Sequence, residues 1–396
     1  MKTLILNLGR VLCALMLCAG LVVAGCTEGP LDDEQNNEQE NNEGSQDSPS
    51  ATDSSSFVTD LSSSACANCY IVSKVGLYKF KTVKGNSSES VGDVVSASVL
   101  WETFGTSVAP APADLIKESS YEGGYITFQT ADNFNEGNAV IAAKDASGNI
   151  LWSWHIWLTD QPEGQEYYNN AGTMMDRNLG ATSATPGDVG ALGLMYQWGR
   201  KDPFLGSSSI SSPVLAESTI TWPNPVVSDS STGTIAYVTA NPTTLLVVLG
   251  SDWYFTDSSS TDNTRWTTSE SKKSIYDPCP AGWRVPDGGS NGFWSKALGS
   301  SENVYGYSYD DINKGMNFSG KLGSASVIWY PSSGALYSNS DGALNHVGSF
   351  GRLWTASVNG KGAVDCLYFT EIGSIYPLRS YAPVIAYSVR CLQALD

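Results

Sequence analysis

The sequence predicts a mainly β protein with minor α. It reads as an immunoglobulin-like β-sandwich module followed by a second body of similar strand content. Three observations carry this. Short β-type runs recur between Gly, Ser, Asn and Pro residues with no helical period. Charged residues make up only 16% of the chain, while Gly, Ser, Thr, Tyr and Trp are plentiful, as in extracellular β proteins. The runs Ala139–Ala143 and Ile150–Leu158 flank Asp145-Ala146-Ser147-Gly148-Asn149, the clearest hairpin signature in the chain.

Taken in order, the chain opens with Lys2, Arg10 and an apolar run, Val11 to Val23, too short to span a membrane as a mature helix. The run ends Leu21-Val22-Val23-Ala24-Gly25-Cys26. Small residues at that distance before a cysteine resemble a bacterial lipoprotein cleavage box. That implies a signal peptide over 1–25 and lipidation of Cys26; an ordinary signal peptide with a chance cysteine is the alternative. The mature chain is then tethered to a membrane rather than threaded through it. Residues 26–56 are acidic and rich in Asn, Gln and Ser, and are expected to be a disordered tether. Asp32-Asp33-Glu34 resembles the acidic surface-export signal of Bacteroidetes lipoproteins; a plain solvated spacer is the alternative. The net charge of −18 becomes −20 when Lys2 and Arg10 leave with the signal, which argues against nucleic-acid binding.

Residues 57–164 supply the sandwich. Strands are expected at Tyr70–Val72, Leu77–Phe80, Val94–Trp101, Tyr121–Thr130 and the two arms of the hairpin. In the second arm Trp152, Trp154, Ile156 and Leu158 share one face by period-two alternation, and His155 and Trp157 share the other. The first set is expected to fill the sandwich core and Trp157 to cover the junction with the second domain. Gln161-Pro162-Glu163-Gly164 reads as a hinge.

Residues 165–396 form the second domain. It starts with a charged aromatic stretch, 174–204, which joins Asp176, Arg177, Arg200, Lys201 and Asp202 to Tyr196 and Trp198. A Ser/Thr/Pro-rich insertion at about 205–275 shows few regular signals and reads as an elaborate loop. Asp287 is expected to open a short helix reaching Leu298, against the interruptions of Gly288, Gly289 and Gly292. Strands are then expected at Gly315–Phe318, Ser326–Tyr330, Ala335–Tyr337, Gly351–Ala356, Ala363–Thr370 and Tyr387–Leu392.

Three motifs carry a resemblance: Cys279-Pro-Ala-Gly-Trp-Arg-Val-Pro286, Gly351-Arg-Leu-Trp-Thr-Ala-Ser357 and Ser388-Val-Arg-Cys391. Together they resemble the FISUMP family, the Fibrobacter succinogenes major paralogous domain. Met175–Ala181 and Tyr196–Phe204 are similar to the version found in Bacteroides surface lipoproteins grouped with fimbrillin-like proteins. The resemblance implies a C-type-lectin-like or formylglycine-enzyme-like α+β domain. It also implies a Cys279–Cys391 disulfide, with Cys366 as a competing partner. Cys66 and Cys69 are either a local bridge or reduced. With this resemblance and its place at the hinge, the 174–204 stretch reads as a framework strap. Asp176, Arg177, Arg200 and Asp202 would pair as ions over Tyr196 and Trp198, since neighbouring cations favour ionised carboxylates.

Catalytic signatures are missing. There is no His-Glu-x-x-His and no phosphate loop, and the two histidines, His155 and His346, fall in different modules. No cofactor is expected. Asp310, Asp311 and Asn313 form the best calcium candidate, but they supply only part of the roughly six to eight oxygens that ion takes. Exposed aromatics offer stacking faces, and the candidates are Trp253, Tyr254, Trp266, Tyr305, Tyr307, Tyr309, Trp329 and Tyr330. The expected function is non-catalytic: an outer-membrane, surface-facing lipoprotein that binds a glycan or protein on a host or neighbouring cell. Fimbrial subunits are further candidate partners. A structural pilus subunit and an enzyme on a modified formylglycine-type fold are the alternatives.

Overall fold

A computed structural model of the chain describes residues 57–396 apart from 168, 249–250, 256–263, 268–271, 300–305, 320–326, 339–340, 360–361 and 395–396. The signal, Cys26 and the tether lie outside the described residues, as does Tyr305. The architecture is mainly β with minor α, as the strand-like runs predict. Among the described residues the two α-helices have six residues each.

Eight strands build the N-terminal part: β1 Val58–Asp60, β2 Cys69–Val72, β3 Leu77–Lys81, β4 Ser96–Thr103, β5 Ile116–Glu122, β6 Tyr125–Thr130, β7 Gly137–Lys144 and β8 Ile150–Leu158. They form two four-stranded sheets, ordered β1-β3-β6-β5 and β2-β8-β7-β4. The sheets enclose a core of Tyr70, Phe80, Phe128, Ile141, Trp154 and Ile156, among others. Gly148 takes a left-handed φ of +82° in the β7–β8 turn, where a side chain would be strained.

β8 is buried on both faces because it lies inside a β-sheet covered on both sides. Trp152, Trp154, Ile156 and Leu158 face the sandwich core. Trp157 joins Trp101, Val140 and Cys69 in a second core, shared with Met175, Tyr196, Trp198, Trp354 and Cys391. The hinge is therefore no gap. Residues 55–396 are one compact unit, and hydrogen bonds cross the boundary. Trp157 Nε1 donates to Ala181 O at 3.0 Å, Asn138 Nδ2 to Gly180 O at 2.9 Å, and Asn68 Nδ2 to Ile275 O at 2.8 Å.

The C-terminal part continues through β9 Gly164–Glu166, β10 Thr173–Met175, β11 Tyr196–Gln197, β12 Val226–Val227, α1 Ile235–Ala240, β13 Leu246–Val247, β14 Trp283–Arg284 and α2 Phe293–Leu298. It ends with β15 Tyr307–Asp310, β16 Gly315–Ser319, β17 Val327–Pro331, β18 Ala335–Leu336, β19 Leu344–Asn345, β20 Phe350–Val358, β21 Val364–Thr370, β22 Ile375–Tyr381, β23 Ala386–Tyr387 and β24 Leu392–Gln393. Short sheets run β14-β24-β10-β9, β11-β23-β18-β19, β15-β16-β17 and β20-β21-β22. Cys279 and Cys391 form a disulfide across 112 residues, as the resemblance implies, and Cys66, Cys69 and Cys366 are thiols.

Three expectations are corrected. The helix begins at Phe293, not Asp287, because Gly288, Gly289 at φ +80° and the Gly292 cap occupy the intervening turn. The Tyr387–Leu392 strand is split, since β23 pairs with β11 and β18 while β24 pairs with β14 and β10. The 205–275 insertion is not simple loop. It holds α1, capped by Thr234 Oγ1 on the amide of Tyr237, and the parallel pair β12–β13. It also buries Trp253 and Trp266 completely.

Candidate functional site

The strap separates into three devices rather than one ion-pair run. Arg177 pairs with Asp176 at 2.9 Å and also with Asp160, which lies just beyond β8. Burial opposes its charge, but the two carboxylates outweigh burial and hold the guanidinium above its usual range. Asp202 pairs with Lys201, not Arg200, at 2.7 Å. Among the described residues no carboxylate pairs with Arg200. Its Nη1 donates to Gln197 Oε1 at 2.9 Å and to Thr244 O at 2.7 Å, and Nη2 donates to Pro242 O at 3.2 Å. Burial pulls its pKa down to about 10. A cation seated on carbonyl dipoles stays charged at neutral pH and fastens the insertion to the strap. Trp253 Nε1 and Trp266 Nε1 add to this by donating to the carbonyls of Trp198 and Arg200, at 2.7 and 3.0 Å. Tyr196 and Trp198 are fully buried beneath.

Lys201, Asp202 and Ser153 form a buried polar knot. Lys201 Nζ donates to Ser153 Oγ at 2.6 Å, and Ser153 Oγ donates to Asp202 Oδ1 at 2.6 Å. A serine beside a lysine has the parts of an activated nucleophile. Here Ser153 is 1% exposed and Lys201 lies 4.6 Å over the Trp152 ring, so a substrate has no path to the hydroxyl. The knot satisfies its own hydrogen bonds and ties β8 to the strap. His155 is also sealed: burial drives its pKa down to about 3, and its Nε2 meets Asn138 Oδ1 at 2.8 Å. It is a neutral structural imidazole.

The aromatic candidates mostly pack. Trp253, Trp266, Trp329 and Tyr330 are buried. Tyr254 is half-buried beside Trp253. Tyr309 spends its hydroxyl on Gly348 O at 2.6 Å and Ser332 Oγ at 3.0 Å. Tyr307 is 46% exposed and alone among the described candidates in offering an open ring. In the calcium candidate, Asp310 Oδ1 accepts the amides of Ile312 and Asn313, and Oδ2 accepts Asn313 Nδ2 at 2.8 Å. Those bonds hold the Asp310 carboxyl below its usual range and close the turn on itself. The described residues contain no cluster of three His, Cys, Asp or Glu side chains fit to hold a metal.

An arrangement that no sequence motif marks lies on β20-β21-β22. Phe350, Tyr368 and Tyr376 run across the three strands on one face. Phe350 meets Tyr368 edge-on at 5.6 Å, and Tyr368 stacks on Tyr376 at 5.6 Å and 15°. Cross-strand registers of Arg352 with Tyr368 and of Tyr368 with Tyr376 place these rings side by side. They wall an open cleft of about 450 Å³, closed at one end by the Thr370–Ser374 turn and lined also by Arg379. Tyr376 is 43% exposed and Arg379 sits 5.8 Å over it.

Beneath this wall Arg352 is boxed by five rings. Its guanidinium lies 4.7 Å from the centroid of Tyr368, 5.0 Å from Tyr381, 5.1 Å from Phe350, 5.5 Å from Tyr387 and 5.7 Å from Tyr337. Burial works against the charge, yet Tyr387, Tyr337 and Tyr381 outweigh it and hold the guanidinium above its usual range. Exposed rings of this kind can stack on a ligand, and cations beside them can direct hydrogen bonds to it. A second open cleft, beside β4 and β5, has a similar volume of about 490 Å³ but no aromatic wall.

Fold and face together define a mainly β protein with an open, tyrosine-walled cleft lined by Arg379 and Glu371. No family model matches this chain, and no curated protein or solved structure matches it either. Among the described residues no helix is long and apolar enough to cross a membrane.

Proposed function

We propose that this chain is a non-catalytic cell-surface binding protein, a lipoprotein held to the outer membrane through Cys26, whose receptor face for glycans is the tyrosine wall of β20–β22. The observation that carries the reading is Tyr376 stacked on Tyr368 at an open cleft, with hydroxyl and carboxylate groups of Thr370, Ser374 and Glu371 around it. Flat aromatic faces cover the apolar side of a pyranose ring while polar neighbours take its hydroxyls. The Leu21–Cys26 cleavage box, the acidic tether and the FISUMP-like motifs support a bacterial surface setting and a lectin-like second domain. The sealed Ser153–Lys201 knot lends no support to hydrolysis.

The test is a glycan and extracellular-matrix array probed with the full-length chain and with Tyr376→Ala. We expect retention by a glycan class and a roughly tenfold loss of affinity in the variant, the size expected for one stacking contact. Absence of binding to every class, or full affinity in Tyr376→Ala, would overturn the assignment. Protease added to intact cells should remove the protein if it faces outward.

A further inference from the structure

The glycan face carries more positive charge than stacking alone needs. Among the described residues neither Arg352 nor Arg379 pairs with a carboxylate. In the strap, Arg177 is committed to two aspartates and Arg200 to carbonyls, with Nε of Arg200 left unmet. Arg352 is 5% exposed, and two of its nitrogens, Nε and Nη1, have no hydrogen-bond acceptor in the protein. Tyr381 supplies one polar contact. Leaving buried guanidinium donors unmet is costly, and more so for a charged group than a neutral one. Ring faces partly offset that cost but supply no acceptor in the guanidinium plane.

The placement of the unmet charge is specific. Arg352 lies directly opposite Tyr368 across the strands and two residues from Phe350, both walls of the cleft, and Arg379 lines the same cleft. Glu371 is the one carboxylate on the cleft rim. His346 packs at 4.6 Å on Phe350, and burial together with Arg352 lowers its pKa, so it adds no charge at neutral pH. The local balance is two cations against one anion, on a chain of net charge −18.

Resting on the glycan reading above, we propose that this cleft takes an acidic saccharide, a sugar chain bearing carboxylate or sulfate groups, with Arg379 as its anion-recognising residue and Arg352 adding positive charge from beneath the ring wall. Tyr376 and Tyr368 stack the ring. Arg379 meets the anion from the open side, and the buried charge of Arg352 acts on it through the ring wall. Glu371 at the turn takes sugar hydroxyls and repels an anion placed at that end, which fixes the direction in which the chain lies.

The experiment compares binding of the full-length chain to an array holding neutral, carboxylated and sulfated glycans. It then titrates oligogalacturonate, its methyl ester and a sulfated galactan oligosaccharide. Arg352→Gln removes the centre of the five-ring box, so the decisive variant is Arg379→Gln, whose side chain is exposed. We expect the acid form to bind about tenfold tighter than its methyl ester, the scale of one charge-assisted hydrogen bond. That preference should shrink as salt rises. Arg379→Gln should lower acid binding about tenfold and ester binding by much less, so that the acid-over-ester preference collapses. The carboxylate and sulfate arms report which anion is preferred. Equal binding of acid and ester, with both lost in Tyr376→Ala, would overturn the anion assignment and leave the glycan face standing. Retention of no glycan of any class would overturn both.

Discussion

Arginines show how little residue type decides by itself. Arg177 meets two aspartates, Arg200 meets backbone carbonyls, and Arg352 meets five rings. Of these three, Arg352 leaves two buried donors over. His155 makes a sharper test at this scale. Its pKa falls from an ordinary 6.5 to about 3 on folding because burial removes water from the charged form. The unfolded chain therefore binds the proton and the folded chain does not between those two values. The stabilisation is fully present above pH 6.5 and is lost as pH falls towards 3. Between about pH 6.5 and 5, above most carboxylate titrations, the unfolding free energy should drop by up to about 1.4 kcal/mol per pH unit. His155→Gln should flatten that slope in urea titrations. An unchanged slope would mean that another group titrates there.

At the scale of elements, the strand that contributes most to the tyrosine-walled cleft is the one the sequence concealed. β22 carries Tyr376, Arg379 and Tyr381, yet Pro377 sits inside it. A proline lacks the amide that a central strand needs, so the run carries no strand signal. It is tolerated because β22 lies at the edge of its three-stranded sheet. β20 and β21 were legible from their apolar runs. A feature of β20 was not: a Cβ on Gly351 would fall 1.9 Å from Phe369 Cζ, so the cross-strand ring lies directly over the glycine. The disulfide between the segment before β14 and the one before β24 was readable only through motif resemblance, since spacing leaves every pairing open. Closing a loop across 112 residues should contribute about 5 kcal/mol in the chain-entropy model. A Cys279→Ser, Cys391→Ser double variant should lose that much in urea unfolding. A loss under about 1 kcal/mol would show that the core alone holds β24 in place.

For the whole molecule, the consequence of β8 being buried on both faces is cooperativity. One core cluster runs from Trp101 and Trp157 into Tyr196, Trp198 and Trp354. The Lys201–Asp202–Ser153 knot and the Arg177–Asp160 pair close the same boundary. Residues 57–396 should therefore unfold in one calorimetric transition with matching calorimetric and van't Hoff enthalpies. Two resolved transitions, or a freely cleavable Gln161–Gly164 segment that leaves both halves folded, would show separable domains. Hairpin turns, period-two faces and the junction role of Trp157 were determined by the sequence itself, because they depend on local geometry and on which side chains avoid water. Tertiary structure alone decided which charges are spent. Lys201 rather than Arg200 met Asp202, Trp253 and Trp329 went inside, and Arg352 was left among rings beside an open cleft. Those outcomes depend on which segments distant in sequence come together, and no local pattern encodes that.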